Sequence, residues 1–135
     1  MGNETKIVEN FRYTKEHEWL SREESNDNIV KIGITDFAQN SLGDIVHIDL
    51  PSEGDSFEVG DEIAVVESAK SASEIYCPVS GTIIEVNDCL DSHPERVNES
   101  PYEEGWLVRL EMDDPDQLDD LLSADGYSHF LDEDN

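Results

Sequence analysis

Ile63-Ala64-Val65-Val66-Glu67-Ser68-Ala69-Lys70-Ser71-Ala72-Ser73-Glu74-Ile75-Tyr76-Cys77, followed by Pro78-Val79-Ser80-Gly81, is the stretch that decides the fold. Ile63 to Val66 is a short apolar run of strand length, and Ile75-Tyr76-Cys77 is a second, closed by a proline–glycine turn. Between them lies a polar interlude of small residues, Glu67 to Glu74, with Lys70 near its centre. This places Lys70 at the tip of a hairpin. Ala69, Ser71, Ala72 and Ser73 leave its side chain sterically unhindered. A lysine in a turn is ordinarily a solvated cation, and spacing alone assigns it nothing more.

Outward from this hairpin the pattern stays β. Phe11-Arg12-Tyr13 begins a strand-like segment that leads into Glu16-His17-Glu18-Trp19-Leu20, and Ser21 to Asn28 reads as a turn. Val30, Ile32 and Ile34 alternate with Lys31 and Gly33, a strand with one buried face. Thr35 can N-cap a short helix over residues 36–41, with Asp36 in its first turn, Phe37, Ala38 and Leu42 inward and Gly43 closing it. Val46, Ile48 and Leu50 alternate with Ile45, His47 and Asp49; turns at residues 51–55 and at Gly60-Asp61 enclose Phe57 and Val59. Beyond the central hairpin come a strand over Thr82 to Val86, a helical turn near Pro94, and a last strand from Trp106 to Met112. Asp114 then caps a helix with Pro115 at its first position, Leu118, Leu121 and Leu122 on one face and Gly126 at its end. Short strands divided by closely spaced glycine and proline turns predict a barrel or sandwich.

Composition narrows the function. The chain has 135 residues, with 34 acidic against 8 basic side chains and a formal net charge of −26. Such a field repels phosphate backbones and anionic lipid surfaces, so neither nucleic acid nor a membrane is an expected partner. No apolar run exceeds Ile63 to Val66, so no stretch can span a bilayer or act as a signal peptide. The acidic first thirty residues do not read as a transit peptide, and Lys6 breaks the myristoylation pattern. Cys77 and Cys89 read as reduced thiols, and the Asn3 and Asn98 sequons as idle, in keeping with a cytoplasmic chain.

Other constellations are weak. His17, His47, His93 and His129 are scattered and predict no metal site. Ser68-Ala69-Lys70 is one residue short of the Ser-x-x-Lys acyl-enzyme motif. Residues 113–120 lack the central glycine of a calcium loop. Trp19, Trp106 and Phe37 are expected in the core.

Taken in order along the chain, the words around Lys70 are more specific. Tyr13 and His17-Glu18-Trp19 are followed by Gly33-Ile34-Thr35-Asp36-Phe37-Ala38-Gln39, Leu42-Gly43-Asp44-Ile45-Val46, Leu50-Pro51 and Gly54-Asp55. Then come Val66-Glu67-Ser68-Ala69-Lys70-Ser71-Ala72-Ser73-Glu74, Pro78-Val79-Ser80-Gly81, Glu85-Val86-Asn87, Val97-Asn98, Pro101-Tyr102 and Gly105-Trp106-Leu107. Over roughly residues 11 to 130 the chain resembles the glycine cleavage system H-protein family, part of the wider lipoyl- and biotinyl-carrier fold. Each motif is short; their colinear order carries the resemblance. Biotin carriers usually present Met-Lys-Met and dehydrogenase-complex lipoyl domains Asp-Lys-Ala, whereas Glu67-Ser68-Ala69-Lys70 fits the glycine-cleavage type, with Ala69 in place of a common Val.

The resemblance implies a mostly β fold: two small sheets in a flattened barrel-sandwich hybrid, with short helices and a C-terminal helix. It implies lipoate in amide linkage to Lys70, on an arm reaching roughly 14 Å from the backbone at bond lengths of ~1.5 Å. It implies a shuttle rather than an enzyme, serving three partners. A pyridoxal-phosphate glycine decarboxylase loads an aminomethyl group, a tetrahydrofolate-dependent aminomethyltransferase removes it, and a flavin-dependent dihydrolipoyl dehydrogenase reoxidises the dithiol. A lipoate-attaching enzyme is the fourth partner. Glu18, Glu16 and Glu74 match cleft positions that would hold the loaded arm, although Glu74 stands where Asp is common and Glu16 where a small hydroxyl is common. The alternative in another class is an H-like lipoyl carrier for lipoate relay or another redox pathway, without glycine cleavage activity. The domain expectation is a single monomeric lipoyl-carrier domain over residues 1–135. Within it we expect a loose tail at 1–10, a β body at 11–112, a helix at 114–126 and a frayed acidic tail at 131–135.

Overall fold

The computed structural model describes residues 7–26 and 28–133. Nine strands form two sheets: β1 Arg12–Tyr13, β2 Glu18–Arg22, β3 Ile29–Ile34, β4 Ile45–Asp49, β5 Ser56–Phe57, β6 Glu62–Ser68, β7 Ala72–Tyr76, β8 Gly81–Val86 and β9 Val108–Met112. The large sheet runs β1-β2-β3-β9-β8-β5 and the small one β4-β6-β7, with every pairing antiparallel. The fold is mostly β, as expected, with helices confined to connections and the C-terminus. These are α1 Asp36–Leu42, α2 Cys89–Ser92, α3 Arg96–Glu99, a 3₁₀ helix Pro115–Asp120, and α4 Ala124–Glu133.

The alternation read in Val30, Ile32 and Ile34 holds, and these residues join Leu20, Ile48, Val66, Ile83 and Leu110 in one core between the sheets. A second, aromatic cluster lies around Tyr13, Trp19 and Tyr127, with Phe11, Phe37, Tyr102 and Trp106 packed against it. Successive residues of a strand face opposite ways. Trp19 therefore enters the aromatic cluster while Glu18 and Leu20 share the other face, and all three are buried. Thr35 caps α1 by accepting the Ala38 amide proton, and Gly43 ends it at φ +84°.

Four expectations need correction. In β4 a bulge between Ile45 and His47 breaks the alternation: Ile45 and Ile48 are buried, while Val46 is 57% exposed beside an exposed His47. The polar interlude is not a separate segment, because β6 continues to Ser68 and β7 starts at Ala72. Asp114 does cap a helix, accepting from the Asp116 amide, but that helix is 3₁₀ and stops at Asp120. Leu122 then runs extended and exchanges both backbone hydrogen bonds with Tyr13 (2.9 Å each), so no helix spans 114–126. Gly126 lies in the first turn of α4, where its amide donates to Ser123 Oγ (3.1 Å). The ends are also less loose than expected. Leu131 is buried within α4, and Val8 donates to and accepts from the Tyr13 hydroxyl (2.7 and 2.9 Å). The rest of the expected tails, residues 1–6 and 134–135, lies outside the described residues.

Gly81, expected as a turn residue, opens β8 with its backbone against β9; a Cβ there would run into the Glu111 carbonyl oxygen and the Leu110 side chain. Gly81→Ala should therefore cost about 3 kcal/mol in urea unfolding, against near zero if the strands can part. Arg109 on β9 pairs with both Glu23 and Glu85, which raises its already high pKa. The net charge of −26 repels itself, and salt screens that repulsion. Going from low salt to molar NaCl should raise the thermal midpoint by roughly 5 °C or more; a flat or falling midpoint would contradict this.

Candidate functional site

Lys70 occupies the apex between β6 and β7 and is exposed, as are Ala69, Ser71 and Ala72 around it. The apex is held by one hydroxyl. Ser68 Oγ accepts the amide protons of Lys70 (3.2 Å) and Ser71 (3.1 Å), while the Ser68 amide donates to the Ser71 carbonyl at 2.7 Å. Neither Ala69 nor Lys70 takes the positive φ that primed two-residue hairpin turns need, so these side-chain bonds supply closure the backbone does not. The Ala69 amide donates to the Asp44 carbonyl (3.0 Å), which ties the apex to the turn after α1. The Lys70 side chain lies over Gly43, where a Cβ would sit 3.3 Å from its Cε. Among the described residues its ammonium has neither an ion pair nor a hydrogen bond. A rigid base thus presents one unengaged amine.

At the far end of β7 the two sheets enclose a cleft of about 320 Å³. Its walls include Thr14, Glu16, Glu18, Tyr76, Cys77 and Asp120. Glu18 is the polar end of an otherwise apolar core face and is only 1% exposed. Its Oε1 accepts from Thr14 Oγ1 (3.0 Å), and its Oε2 from the Tyr76 amide (2.9 Å). The second bond joins β2 of the large sheet to β7 of the small one. Burial, opposed by these hydrogen bonds and reinforced by nearby Glu16, raises the Glu18 pKa to about 7. Cys77 is also buried; its thiol donates to the Val79 carbonyl (2.9 Å), and burial pushes its pKa up to about 12. It therefore faces the cleft as a protonated thiol, a poor nucleophile toward disulfides.

Of the three carboxylates singled out in the sequence, Glu18 and the exposed Glu16 line this cleft. Glu74 does not: it is exposed on β7, paired with Val65 two residues before Tyr76. Trp19 is core and donates its indole proton to the Pro101 carbonyl (2.9 Å), while Trp106 is partly exposed beneath Lys31. Sequence reasoning missed Thr14, Cys77, Tyr76 and Asp120. Thr14 and Glu18 face each other across a tight turn, which strand periodicity does not reveal, and the others come from distant segments.

Comparisons with known proteins bear on this arrangement. The family described as Glycine cleavage H-protein matches residues 11–134. The chain belongs to this family. It is 50% identical over 127 residues to the glycine cleavage system H protein of Staphylococcus epidermidis, covering 94% of this chain and 98% of that one. The H protein of an Anaeromyxobacter species is 49% identical over 127 residues, covering 94% and 97%. A crystal structure of the H protein from Mycobacterium marinum superposes with a TM-score of 0.79 at 31% identity, covering 95% of this chain and 98% of that one.

Because Glu18 ionises near pH 4.5 when unfolded and near 7 when folded, the unfolded state loses its proton first as pH rises. Folding stability is thus expected to fall between those values by up to about 3 kcal/mol from this group. Glu18→Gln keeps an acceptor for Tyr76 and should flatten that part of the profile, measured as the difference between parent and variant in urea unfolding at pH 5 and 8. Parallel profiles would show that Glu18 titrates as an ordinary surface acid.

Proposed function

We propose that this chain is the lipoyl-bearing carrier of glycine cleavage, with lipoate in amide linkage to Lys70. The observation that carries the reading is the exposed Lys70 amine on the Ser68-braced apex, in a chain of the H-protein family. The residues fit such a group. The apex has room for an acylating enzyme to reach Nζ, and the buried thiol Cys77 in the cleft past the other end of β7 is held protonated, so it does not open a disulfide brought beside it. When bound, the lipoyl group supplies a reducible cyclic disulfide that can take up a one-carbon amine unit and electrons.

The chain's own part is tethering and shelter. Lys70 fixes the attachment point, and a tether raises the effective concentration of its cargo at each partner. The cleft offers Glu18, with Glu16 at its rim, to a cationic amine; a cation there favours the ionised form of Glu18 and draws its pKa down. Glu74 stands outside that wall, and we assign it no contact with the amine. On this reading the chain is a substrate and not an enzyme. It passes an aminomethyl unit from glycine decarboxylase to the aminomethyltransferase and electrons to dihydrolipoyl dehydrogenase, after acylation by a lipoate-attaching enzyme. We place it in the cytoplasm, with Cys77 and Cys89 as free thiols; no described helix is long and apolar enough to cross a membrane.

Incubation with lipoate, ATP and a lipoate–protein ligase should add one lipoyl group by intact mass, and the product should support glycine-dependent carbon dioxide exchange with glycine decarboxylase. Lys70→Ala should fold as the parent does and lose both. Lipoylation without exchange would instead support the lipoate-relay reading, and absence of lipoylation would overturn the carrier reading.

A further inference from the structure

The turn that precedes Glu18 is built in an unfavourable way. Thr14 and Glu18 close a hairpin: the Thr14 amide donates to the Glu18 carbonyl (3.0 Å) and the Glu18 amide to Thr14 Oγ1 (3.1 Å). Three residues, Lys15, Glu16 and His17, make the loop, and His17 closes it at φ +70°, alone among described non-glycine residues in that region. Three-residue hairpins commonly end in such a left-handed residue, and glycine or asparagine fits it with least strain. A bulky imidazole there needs compensation from elsewhere.

The compensation comes from two other elements. His17 Nδ1 shares a hydrogen bond with the Tyr127 hydroxyl on α4 at 2.7 Å. Its ring stacks on Phe37 of α1 with centroids 4.5 Å apart, and its carbonyl accepts from the Thr35 amide (3.0 Å). The same Tyr127 hydroxyl is 2.8 Å from Thr35 Oγ1, the α1 cap, while the Tyr127 ring stacks on Tyr13 of β1. One phenol oxygen therefore joins the β1–β2 turn, the start of α1 and the C-terminal helix. Rotation about the His17 backbone would swing the next residue, and the next residue is Glu18.

We propose that His17, locked by Tyr127, is a positioning residue for Glu18, holding its carboxylate between the sheets against the Tyr76 amide. The proposal takes its functional meaning from the carrier reading above, but its test needs no lipoate, so the two can fail separately. The ionisable groups that line the cleft with Glu18 are Lys15 and Glu16 in the turn, Tyr13 on β1, Tyr76 and Cys77 from the β7 side, and Asp120 at the end of the 3₁₀ helix. Substitution of His17 alters none of them.

The experiment is the NMR titration of the Glu18 carboxyl carbon in the unmodified chain, assigned with Glu18→Gln. The parent midpoint should lie near 7. His17→Gly suits a positive φ, so the turn itself survives; loss of the link should admit water and lower the midpoint by roughly one pH unit or more. Tyr127→Phe removes only the hydroxyl and should shift it in the same direction, and it carries the test if His17→Gly fails to fold. His17→Asn tolerates the backbone and returns a polar atom near the Nδ1 position, so the midpoint should recover. A midpoint unmoved in both His17→Gly and Tyr127→Phe, or one that His17→Asn does not restore, overturns the proposal.

Discussion

The hydrogen bond from the Tyr76 amide to the Glu18 carboxylate organises this molecule. It spans the two sheets where, alone among the described residues, an acidic side chain is buried in the core face. A buried carboxylate is costly unless its lone pairs are met, and here two donors meet them while desolvation still keeps the proton bound up to near-neutral pH. Because Tyr76 ends β7 and Lys70 precedes its start, the strand that Glu18 holds is also the strand that leads to the apex. The anchor and the amine are two ends of one rigid element.

This arrangement separates two requirements that conflict chemically. An acylation site, the role proposed for Lys70, must be open, and Lys70 is exposed among the small exposed residues Ala69, Ser71 and Ala72. The cleft that we propose as a shelter for a reactive amine is lined by buried Tyr13, Glu18 and Cys77. Distance along β7 keeps the two apart. Ser68 makes this possible at the apex, where its hydroxyl replaces the backbone closure that an unprimed turn leaves incomplete. The excess of acid over base acts more broadly, since a field of one sign favours encounter with any basic surface and makes such encounters sensitive to salt.

Much of this was legible in the chain, for physical reasons that differ by element. Alternation in Val30, Ile32 and Ile34, the Thr35 cap and the Lys70 hairpin are local signals, and local signals survive into the fold. Val46 was misplaced because a bulge adds a residue without any mark in the hydrophobic pattern. Leu121 and Leu122 were read as a helix face because apolar pairs suit either period; what ended the helix was the backbone pairing of Leu122 with Tyr13, more than a hundred residues earlier. Glu18 could be named from its neighbours in the family pattern, but not its burial, since 34 acids offer no contrast in composition. The left-handed turn at His17 and its link to Tyr127 have no mark in the sequence, because such a conformation in a residue other than glycine is set by tertiary contacts.

On the proposed reading, Lys70 and no other amine carries the prosthetic group. The chain holds four lysines: Lys6, Lys15, Lys31 and Lys70. Peptide mapping by tandem mass spectrometry, on chain purified from cells supplied with lipoate, tests the claim most directly. Lipoyl mass is expected on the peptide containing Lys70, with unmodified peptides elsewhere. Lipoyl mass at Lys15, Lys31 or Lys6, or an unmodified Lys70 in cells that lipoylate their other carriers, would contradict it.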